Sequence, residues 1–225
     1  MNSDSNIEFF YGNLYASVDA QGPLGWFHRL THRQLECGLD EFPSDSVLEI
    51  GVNRGEHLSF VNHPFNLYVA SDVRATNLDL GKTDSRVSQT VCSAETLPFR
   101  CNSFGRVVAT CVFHHLQNPL KSLSEIRRVT RPDGLITILL PCDPGLTYRF
   151  SWSMTSGRRL RKMGIPNPHF LHSLEHHSHF GALHAYITET FKSDQLKTRW
   201  WPWRIPGWNL NVFTVISVQV RKPMS

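Results

Sequence analysis

The chain has 225 residues, of which 40% are hydrophobic and 19% are charged, and its formal net charge is +4. This length and composition are typical of a globular protein with one substantial core, and they exclude an intrinsically disordered chain. Basic residues are spread along the sequence apart from a short group at 158–162. The basic residues therefore do not form a concentrated stripe of the kind that would indicate a nucleic-acid partner.

The cysteine pattern and the apolar runs favour a cytoplasmic protein. The five cysteines have no CxxC spacing, which favours reduced thiols. The first six residues have neither a basic flank nor a long apolar stretch, so we expect no signal peptide. The longest apolar runs, near 134–141 and 212–220, are too short to span a bilayer. Any membrane contact is expected to be peripheral, at the inner face.

The chain begins with a predicted helical extension at residues 1–45, which contains an aromatic segment at 7–19 and helical spacing of apolar residues at 24–40. Strand-like and helix-like segments then alternate as far as residue 141. We predict strands at 46–52, 67–73, 86–92, 106–112 and 134–141, and helices at 55–63, 74–81 and 118–130. This alternation predicts an α/β fold whose mostly parallel sheet carries helices on both faces.

The composition changes after Pro141. Residues 142–192 begin rich in Arg, His, Gly and Pro, and we predict that they form a substrate-binding lid region with one helix at 177–191. Residues 193–225 contain two strand candidates, 196–203 and 211–221, which would add an antiparallel hairpin to the sheet edge. The chain is thus predicted to be a single domain with a seven-stranded sheet, in which residues 46–141 form the cofactor-binding core.

The turn after the first strand carries the first functional signal. Glu49 lies near the end of that strand, and Gly51, Asn53 and Gly55 follow at every second position. The dinucleotide fingerprint requires a further glycine where Glu56 stands, so nicotinamide and flavin cofactors are disfavoured. Asn tolerates a left-handed backbone, so the turn can survive Asn53 at its centre. We also expect a helix to begin near Gly55 with its free amide groups facing a ligand.

The next predicted strand also ends in an acid, Asp72. A carboxylate at this position can accept hydrogen bonds from both hydroxyls of a ribose. Because Glu49 and Asp72 end adjacent strands, the two acids together predict a nucleoside site.

Four further segments resemble, in order and spacing, those of class I S-adenosylmethionine-dependent methyltransferases of the type 11-like group. They are residues 92–99 (CSAETLPF), 103–108 (SFGRVV), 112–116 (VFHHL) and 125–134 (EIRRVTRPDG). With the turn at 49–55 and Asp72, the resemblance extends from about residue 46 to residue 142. It implies a Rossmann-like fold and methyl transfer from S-adenosylmethionine, with S-adenosylhomocysteine as the product.

The resemblance also implies which residues bind the cofactor. They are Glu49 near its amino-acid end, Gly51, Asn53 and Gly55 along it, Asp72 on the ribose, Ser93, Ala94 and Glu95 beside the adenine, and Thr110 near the methionine portion. Ser93 stands where the family often has an Asp, and Gly105 replaces another common Asp. A hydroxyl can still accept a hydrogen bond from the adenine amino group, so we expect weakened rather than absent binding.

Methyl transfer to a hydroxyl requires a base that is aligned with the methyl group. The catalytic candidates follow the fourth strand or lie in the lid region: His114, Glu175 and His176. A purely structural role is the alternative for His114. The candidates for binding a polar or phosphorylated acceptor are Asp143, Tyr148, Arg149 and His179.

A histidine-rich segment raises the question of a metal. His172, Glu175 and His176 match the H-x-x-E-H spacing of an inverted zinc protease motif. The segment holds so many histidines that this match arises easily by chance, and no strong candidate for a distant third ligand follows it. We therefore expect no metal site.

The acceptor is indicated by a second resemblance. Residues 27–33, 141–152 and 208–211 resemble a bacterial branch of methyltransferases associated with surface polysaccharide biosynthesis. This implies O-methylation of a sugar, either on a nucleotide sugar or on a lipid-linked glycan. A small-molecule or quinone-type methyltransferase is one alternative, and a non-catalytic binding module with the same fold is another. A nucleic-acid acceptor is disfavoured, because the Asn/Asp-Pro-Pro-aromatic signature is missing.

The segment at 200–208 contains four tryptophans and has two interpretations. Aromatic residues on an edge hairpin can belong to the core or to the subunit interface of a homodimer. Trp and Arg also suit a membrane interface, which would match a lipid-linked acceptor.

Overall fold

The computed structural model describes residues 22–40, 42, 44–78, 80 and 84–221. The aromatic segment predicted at 7–19 lies outside the described residues. The helices are α1 (Gly22–Glu36), α2 (Pro119–Val129), α3 (Leu146–Trp152), α4 (Arg158–Lys162), α5 (Pro168–Glu175) and α6 (Phe180–Thr190). The strands are β1 (Ser46–Ile50), β2 (Leu67–Asp72), β3 (Val87–Val91), β4 (Phe104–Thr110), β5 (Thr130–Pro141), β6 (Gln195–Trp201) and β7 (Phe213–Gln219).

These strands form one seven-stranded sheet in the order β3-β2-β1-β4-β5-β7-β6. Strands β1 to β5 pair in parallel, and β7 is antiparallel to both β5 and β6. The mostly parallel sheet and its antiparallel C-terminal pair confirm the predicted fold class. The strand order reverses at β1, which has β2 on one side and β4 on the other. The carboxyl ends of these three strands therefore surround one crevice.

The sheet is buried on both faces. Successive side chains of a strand point to opposite faces, and accordingly Leu48 and Val107 belong to one buried cluster while Val47 and Val108 belong to another. Helices α2 and α6 cover the first face, and α1 covers the second through Leu35. Every residue of β1 is buried, as expected for a central parallel strand.

A buried ion pair holds α1 on its face of the sheet. Arg106 donates from Nη1 to Glu36 Oε2 at 2.9 Å and from Nη2 to Glu36 Oε1 at 2.5 Å. His57 Nε2 lies 3.0 Å from Glu36 Oε1, and His63 Nε2 lies 2.8 Å from Arg106 Nη1. Burial alone would raise the pKa of Glu36, but hydrogen bonds from His57 and Arg106 lower it to about 2.

Two predicted helices are much shorter than expected. The segment 55–63 contains a single 3₁₀ turn, Glu56–Phe60, and the described residues of 74–81 contain a single 3₁₀ turn, Ala75–Leu78. In the first turn His57 is buried beside Glu36, and Pro64 follows shortly after, so the chain leaves the helical path after one turn. A helical turn therefore begins directly after Gly55, as predicted, but it is a single 3₁₀ turn and not a helix that extends to residue 63.

The region at 142–192 contains more helix than predicted. Helix α3, a π-helical turn (Ser153–Gly157) and α4 form one continuous helical stretch, and α5 follows. Helix α5 begins where the Asn167 side chain accepts a hydrogen bond from the Phe170 amide, and Pro168 occupies its first turn. Three large apolar side chains of the continuous stretch are exposed to solvent: Leu146, Phe150 and Met154. The apolar stripe thus faces away from the core.

Candidate active site

The turn after β1 has a left-handed backbone at Gly51 (φ 68°), Asn53 (φ 49°) and Gly55 (φ 75°). At Gly51 a Cβ atom would lie 2.4 Å from Val112 Cγ2, so both the dihedral angle and the packing require glycine. The Asn53 side chain donates a hydrogen bond to Glu56 Oε1 at 3.2 Å. The left-handed conformation predicted for Asn53 is confirmed.

Asp72 joins the end of β2 to this turn. Its Oδ2 accepts a hydrogen bond from the Asn53 amide at 3.1 Å, and its Oδ1 accepts one from the Arg74 amide at 2.9 Å. Each carboxylate oxygen can accept more than one hydrogen bond. Asp72 therefore has its orientation set by the backbone and retains the capacity to bind the hydroxyls of a ribose.

Glu49 lies beneath the turn and is only 2% exposed. Tyr68 Oη donates a hydrogen bond to Glu49 Oε2 at 2.6 Å. Burial raises the pKa of Glu49 to about 7, so this carboxyl group changes protonation near neutral pH. A cationic amino group nearby would favour the ionised form.

A cavity of about 890 Å³ opens at the carboxyl ends of β1, β2 and β4, and we call it the large cavity. Its volume lies within the range of roughly 300–1,000 Å³ that is typical of small-molecule sites. Six of the nine residues predicted to bind the cofactor line it: Glu49, Gly51, Asn53, Asp72, Ala94 and Thr110. The motif-based residues therefore converge on one space.

The other three predicted cofactor residues do not line the large cavity. Gly55 packs against Leu80, whose Cδ2 would lie 2.8 Å from an added Cβ atom. Ser93 Oγ accepts a hydrogen bond from the Glu95 amide at 3.1 Å, and Glu95 Oε1 accepts one from the Asn118 amide at 2.9 Å. The polar groups of these two side chains hold neighbouring loops together.

Thr110 ends β4 at the wall of the large cavity. Its Oγ1 is buried and has no hydrogen-bond partner in the part of the chain that the structure describes. A buried hydroxyl without a partner is unfavourable, and a polar group of a ligand in the cavity would satisfy it.

The far wall of the large cavity consists of α1 and the segments around α5. Helix α1 contributes Phe27, His28, Thr31 and His32, among others. In the sequence, residues 27–33 give a signal for the acceptor only through a family resemblance, because a helix that precedes the motif-bearing core carries no spacing signal for a ligand. The segments around α5 contribute His115, Gln117, Leu174, Glu175 and His177.

Four histidines and an aspartate form a cluster that includes His115 of this wall and extends behind it, and we call them the His–Asp cluster: His114, His115, Asp143, His172 and His176. Asp143 Oδ2 lies 3.0 Å from His172 Nε2 and 2.6 Å from His176 Nδ1. The ring centroid of His176 lies 3.8 Å from that of His172, 4.1 Å from that of His114 and 5.2 Å from that of His115.

A second cavity of about 420 Å³, the small cavity, adjoins this cluster. The two cavities share no lining residue, and α5 separates them. Within α5, Leu174 and Glu175 line the large cavity, whereas His169, His172 and Ser173 line the small one. Helix α5 is therefore a partition between two spaces.

The partition divides the predicted catalytic and acceptor-binding residues. Glu175 lines the large cavity, His176 lines the small cavity, and His114 is 5% exposed and lines neither. Three predicted acceptor residues line the small cavity, namely Asp143, Arg149 and His179. The fourth, Tyr148, stacks on His172 with ring centroids 6.1 Å apart.

Burial controls the protonation of the His–Asp cluster. It lowers the pKa of His114, and the neighbouring imidazoles lower it further. Burial and the nearby His176 lower the pKa of His115 to about 3. Burial alone would raise the pKa of Asp143, but hydrogen bonds from His172 and His176 bring it well below its usual range. At neutral pH, the imidazoles of His114, His115 and His176 are therefore neutral and the Asp143 carboxylate is ionised.

Comparison of sequences identifies the motif-bearing core. Residues 48–138 match a family model described as a methyltransferase domain. MJ1252, an uncharacterised protein of Methanocaldococcus jannaschii, is 30% identical over 91 residues, which are 40% of this chain and 35% of that protein. The matched part thus spans about a third of this relative's length.

Solved structures share the fold over almost the whole chain. A Haloferax volcanii methyltransferase, solved in complex with the Trm112 methyltransferase activator, has a TM-score of 0.67 and 13% identity over 96% of this chain and 97% of its own. The N-methyltransferase NodS from Bradyrhizobium japonicum, solved with S-adenosyl-L-homocysteine, has a TM-score of 0.67 and 14% identity over 99% of this chain and 100% of its own.

The fold, the strand-end cavity and the matched segment are similar to those of class I S-adenosylmethionine-dependent methyltransferases. The residues of the large cavity fit this cofactor. Asp72 suits a ribose, Glu49 suits a cationic amino group, and the Thr110 hydroxyl offers a hydrogen bond to a polar ligand atom.

Proposed function

We propose that the protein transfers a methyl group from S-adenosylmethionine to an oxygen atom of a sugar or glycan intermediate of surface polysaccharide biosynthesis. The observation that carries the proposal is the large cavity, which joins two chemically different walls. Glu49 and Asp72 line it from strands β1 and β2, and His115 and Glu175 line it from the turn after β4 and the end of α5. A nucleoside and an acceptor could therefore share one space.

When bound, S-adenosylmethionine supplies an electrophilic methyl group on a sulfonium. In this proposal Asp72 holds the ribose, because its two oxygens are already oriented by the Asn53 and Arg74 amides. Glu49 attracts the amino group, and Ala94 borders the adenine with little side-chain bulk. Each of these roles uses a residue that lines the large cavity.

We assign the acceptor's proton to the Glu175 side chain, which lines the large cavity. His115 Nδ1 lies 2.8 Å from the Glu175 carbonyl oxygen and 3.8 Å from Glu175 Oε2. A hydrogen bond from Nδ1 to this carbonyl oxygen fixes the ring, so His115 positions Glu175. His114 and His176 pack on His115 with ring centroids 4.0 Å and 5.2 Å away, so they act as positioning residues.

The polar far wall supports a hydroxyl-rich acceptor. Gln117, Glu175, His177 and Thr31 together offer hydrogen-bond donors and acceptors in several directions. Several such groups are needed to orient a sugar, because each buried hydroxyl must be hydrogen-bonded.

An exposed apolar stripe supports a lipid-linked form of this acceptor. Leu146, Phe150 and Met154, spaced four residues apart, are 70%, 71% and 56% exposed. The loop that carries Trp208 lies beside the stripe, because Thr147 Oγ1 donates to the Asn209 carbonyl oxygen at 2.9 Å. The basic helix α4 continues the stripe, so this surface suits an anionic bilayer. Among the described residues, no helix is long and apolar enough to cross a membrane.

The experiment that tests the proposal measures binding and transfer separately. Calorimetry measures the affinity for S-adenosylmethionine, and radiolabelled cofactor measures transfer to nucleotide sugars, to a lipid-linked glycan in anionic vesicles and to a quinone. We expect transfer to a sugar acceptor. Glu175→Gln should lower kcat about 100-fold while the cofactor Kd stays unchanged. Glu189→Gln, an exposed carboxylate on α6, is the matched control.

Three outcomes would contradict the proposal. Absence of cofactor binding at millimolar S-adenosylmethionine would exclude an S-adenosylmethionine-dependent activity. Methylation of the quinone alone would exclude the sugar acceptor. A product methylated on nitrogen, which the fold permits because NodS is an N-methyltransferase, would exclude transfer to oxygen.

A non-catalytic binding module is the second candidate. It is favoured by Ser93 and Glu95, whose polar groups bond to neighbouring loop atoms instead of lining the large cavity. Tight cofactor binding without transfer to any acceptor would support this candidate.

A further inference from the structure

Helix α5 and the segment after β5 bring three metal-ligating side chains together. His172 lies in the last turn of α5 and His176 directly follows the helix, with ring centroids 3.8 Å apart. Asp143 is distant in sequence, yet its Oδ2 lies 3.0 Å from His172 Nε2 and 2.6 Å from His176 Nδ1. One ligand atom from each residue lies within 4.8 Å of the other two.

We propose that Asp143, His172 and His176 form a binding site for a divalent transition metal, with Zn²⁺ as the ion. Metal ligands at about 2.1 Å from zinc are separated from one another by roughly 3.0–3.4 Å. The two oxygen–nitrogen distances of 3.0 Å and 2.6 Å are close to this separation, so small side-chain rotations suffice. Two imidazoles and one carboxylate suit Zn²⁺, whereas Mg²⁺ and Ca²⁺ require mostly oxygen ligands.

The surroundings leave room for further ligands. The side chains of Asp143, His172 and His176 are 15%, 18% and 12% exposed, and all three line the small cavity. Water can therefore reach the ion and complete its coordination. The Asp143 backbone is fixed as well, because its carbonyl oxygen accepts a hydrogen bond from the Phe180 amide at 2.9 Å.

The residues of this site differ from those that the H-x-x-E-H spacing suggested. The third ligand is Asp143, which precedes the histidines, and Glu175 faces the large cavity instead. A neighbouring set of His114, His115 and His176 is also compact. It lacks a carboxylate, however, and His115 Nδ1 already lies 2.8 Å from the Glu175 carbonyl oxygen. The set with Asp143 is therefore the better zinc site.

The ion would join the partition helix to the end of β5. Leu174 and Glu175 lie on the other side of that helix, in the wall of the large cavity. Zinc in the small cavity would thus stabilise the position of the proposed acceptor wall without touching the acceptor. The inference stands independently of the proposed methyl transfer, because its tests measure metal binding and stability.

The experiment uses the full chain, purified without a polyhistidine tag. Zinc content is measured by mass spectrometry, Zn²⁺ affinity by calorimetry after removal of bound metal, and the melting temperature with and without Zn²⁺. We expect about one zinc per chain and a rise in melting temperature of about 5 °C at saturating Zn²⁺. Mg²⁺ should produce no rise.

Asp143→Asn and His172→Gln should each weaken Zn²⁺ binding about 100-fold and remove the rise in melting temperature. His169→Gln is the matched control, since His169 lines the same cavity but lies outside the ligand set. Far-UV circular dichroism checks that each variant is folded, and either of the two ligand variants suffices for the comparison.

Three results would overturn the proposal. One is the absence of stoichiometric Zn²⁺ binding in the wild-type chain. Another is unchanged Zn²⁺ affinity in both ligand variants. The third is an equal loss of affinity in His169→Gln, which would indicate adventitious binding to exposed histidines.

Discussion

The two walls of the large cavity are held in place by different kinds of contact. On the sheet side, the left-handed turn at Gly51 and Asn53 follows β1 directly, and Asp72 reaches it from the adjacent parallel strand. On the far side, α1 is held by the Glu36–Arg106 pair, whose residues are 70 positions apart in sequence. The end of α5 is held by the contact between His115 and Glu175, which are 60 positions apart.

This difference distinguishes the wall proposed to hold the cofactor from the wall proposed to hold the acceptor. The sheet wall depends on backbone geometry within short segments, so it can persist with an Asn in place of a glycine. The far wall depends on a few buried polar contacts between distant segments, and losing one partner leaves the other without compensation. We therefore expect substitutions in the far wall to lower the stability of the protein, and substitutions in the sheet wall to lower its affinity for the cofactor.

The largest expected effect is on the far wall. Glu36→Gln should lower the free energy of unfolding at pH 7 by about 3 to 5 kcal/mol, because the buried Arg106 guanidinium loses its counter-charge. The pKa of Glu36 is lowered from 4.5 to about 2, so the pair's contribution is present above pH 4.5 and is lost as the pH falls towards 2. Urea denaturation across this pH range should show a shallower acid limb for the variant.

The control for this comparison is Glu189→Gln. Glu189 pairs with Lys192 on the surface, where both side chains are largely exposed, so its loss should change stability by less than about 1 kcal/mol. Equal losses in the two variants would show that the Glu36–Arg106 pair does not hold α1 in place.

A smaller effect is expected on the sheet wall. Asp72→Asn should weaken S-adenosylmethionine binding about 100-fold, because the amide cannot accept hydrogen bonds through both of its terminal atoms. Calorimetry measures the change. Asp84→Asn is the matched control, since Asp84 is an exposed carboxylate that pairs with Arg86. Unchanged affinity in the Asp72 variant would show that this carboxylate does not bind the ribose.

The smallest expected effect concerns the left-handed turn after β1. Asn53 has φ 49°, which glycine adopts freely and a β-branched residue adopts only with strain. Asn53→Gly should preserve or tighten cofactor binding, and Asn53→Val should weaken it roughly 10-fold. Calorimetry on the two variants tests this, and equal affinities would show that the left-handed turn does not control the site.

The local features of the protein could be predicted from the sequence. The fold class, the seven strands and helix α2 follow from apolar periodicity and from the Asn118 cap that begins that helix. Six of the nine predicted cofactor residues line one cavity, because strand ends and turns encode their positions within short segments. The short 3₁₀ turn after Gly55 could not be predicted, since it depends on the distant Glu36 beside His57.

The sequence by itself determined the wall that surrounds the cofactor, where Glu49, the turn and Asp72 are placed by the pleat and by the order of parallel strands. Only the tertiary structure decided the other wall. Helix α5 separates Glu175 from His176, although they are neighbours in the chain, and it brings Asp143 to His172. These relations arise from packing between distant segments, and side-chain packing has no period that a sequence could display.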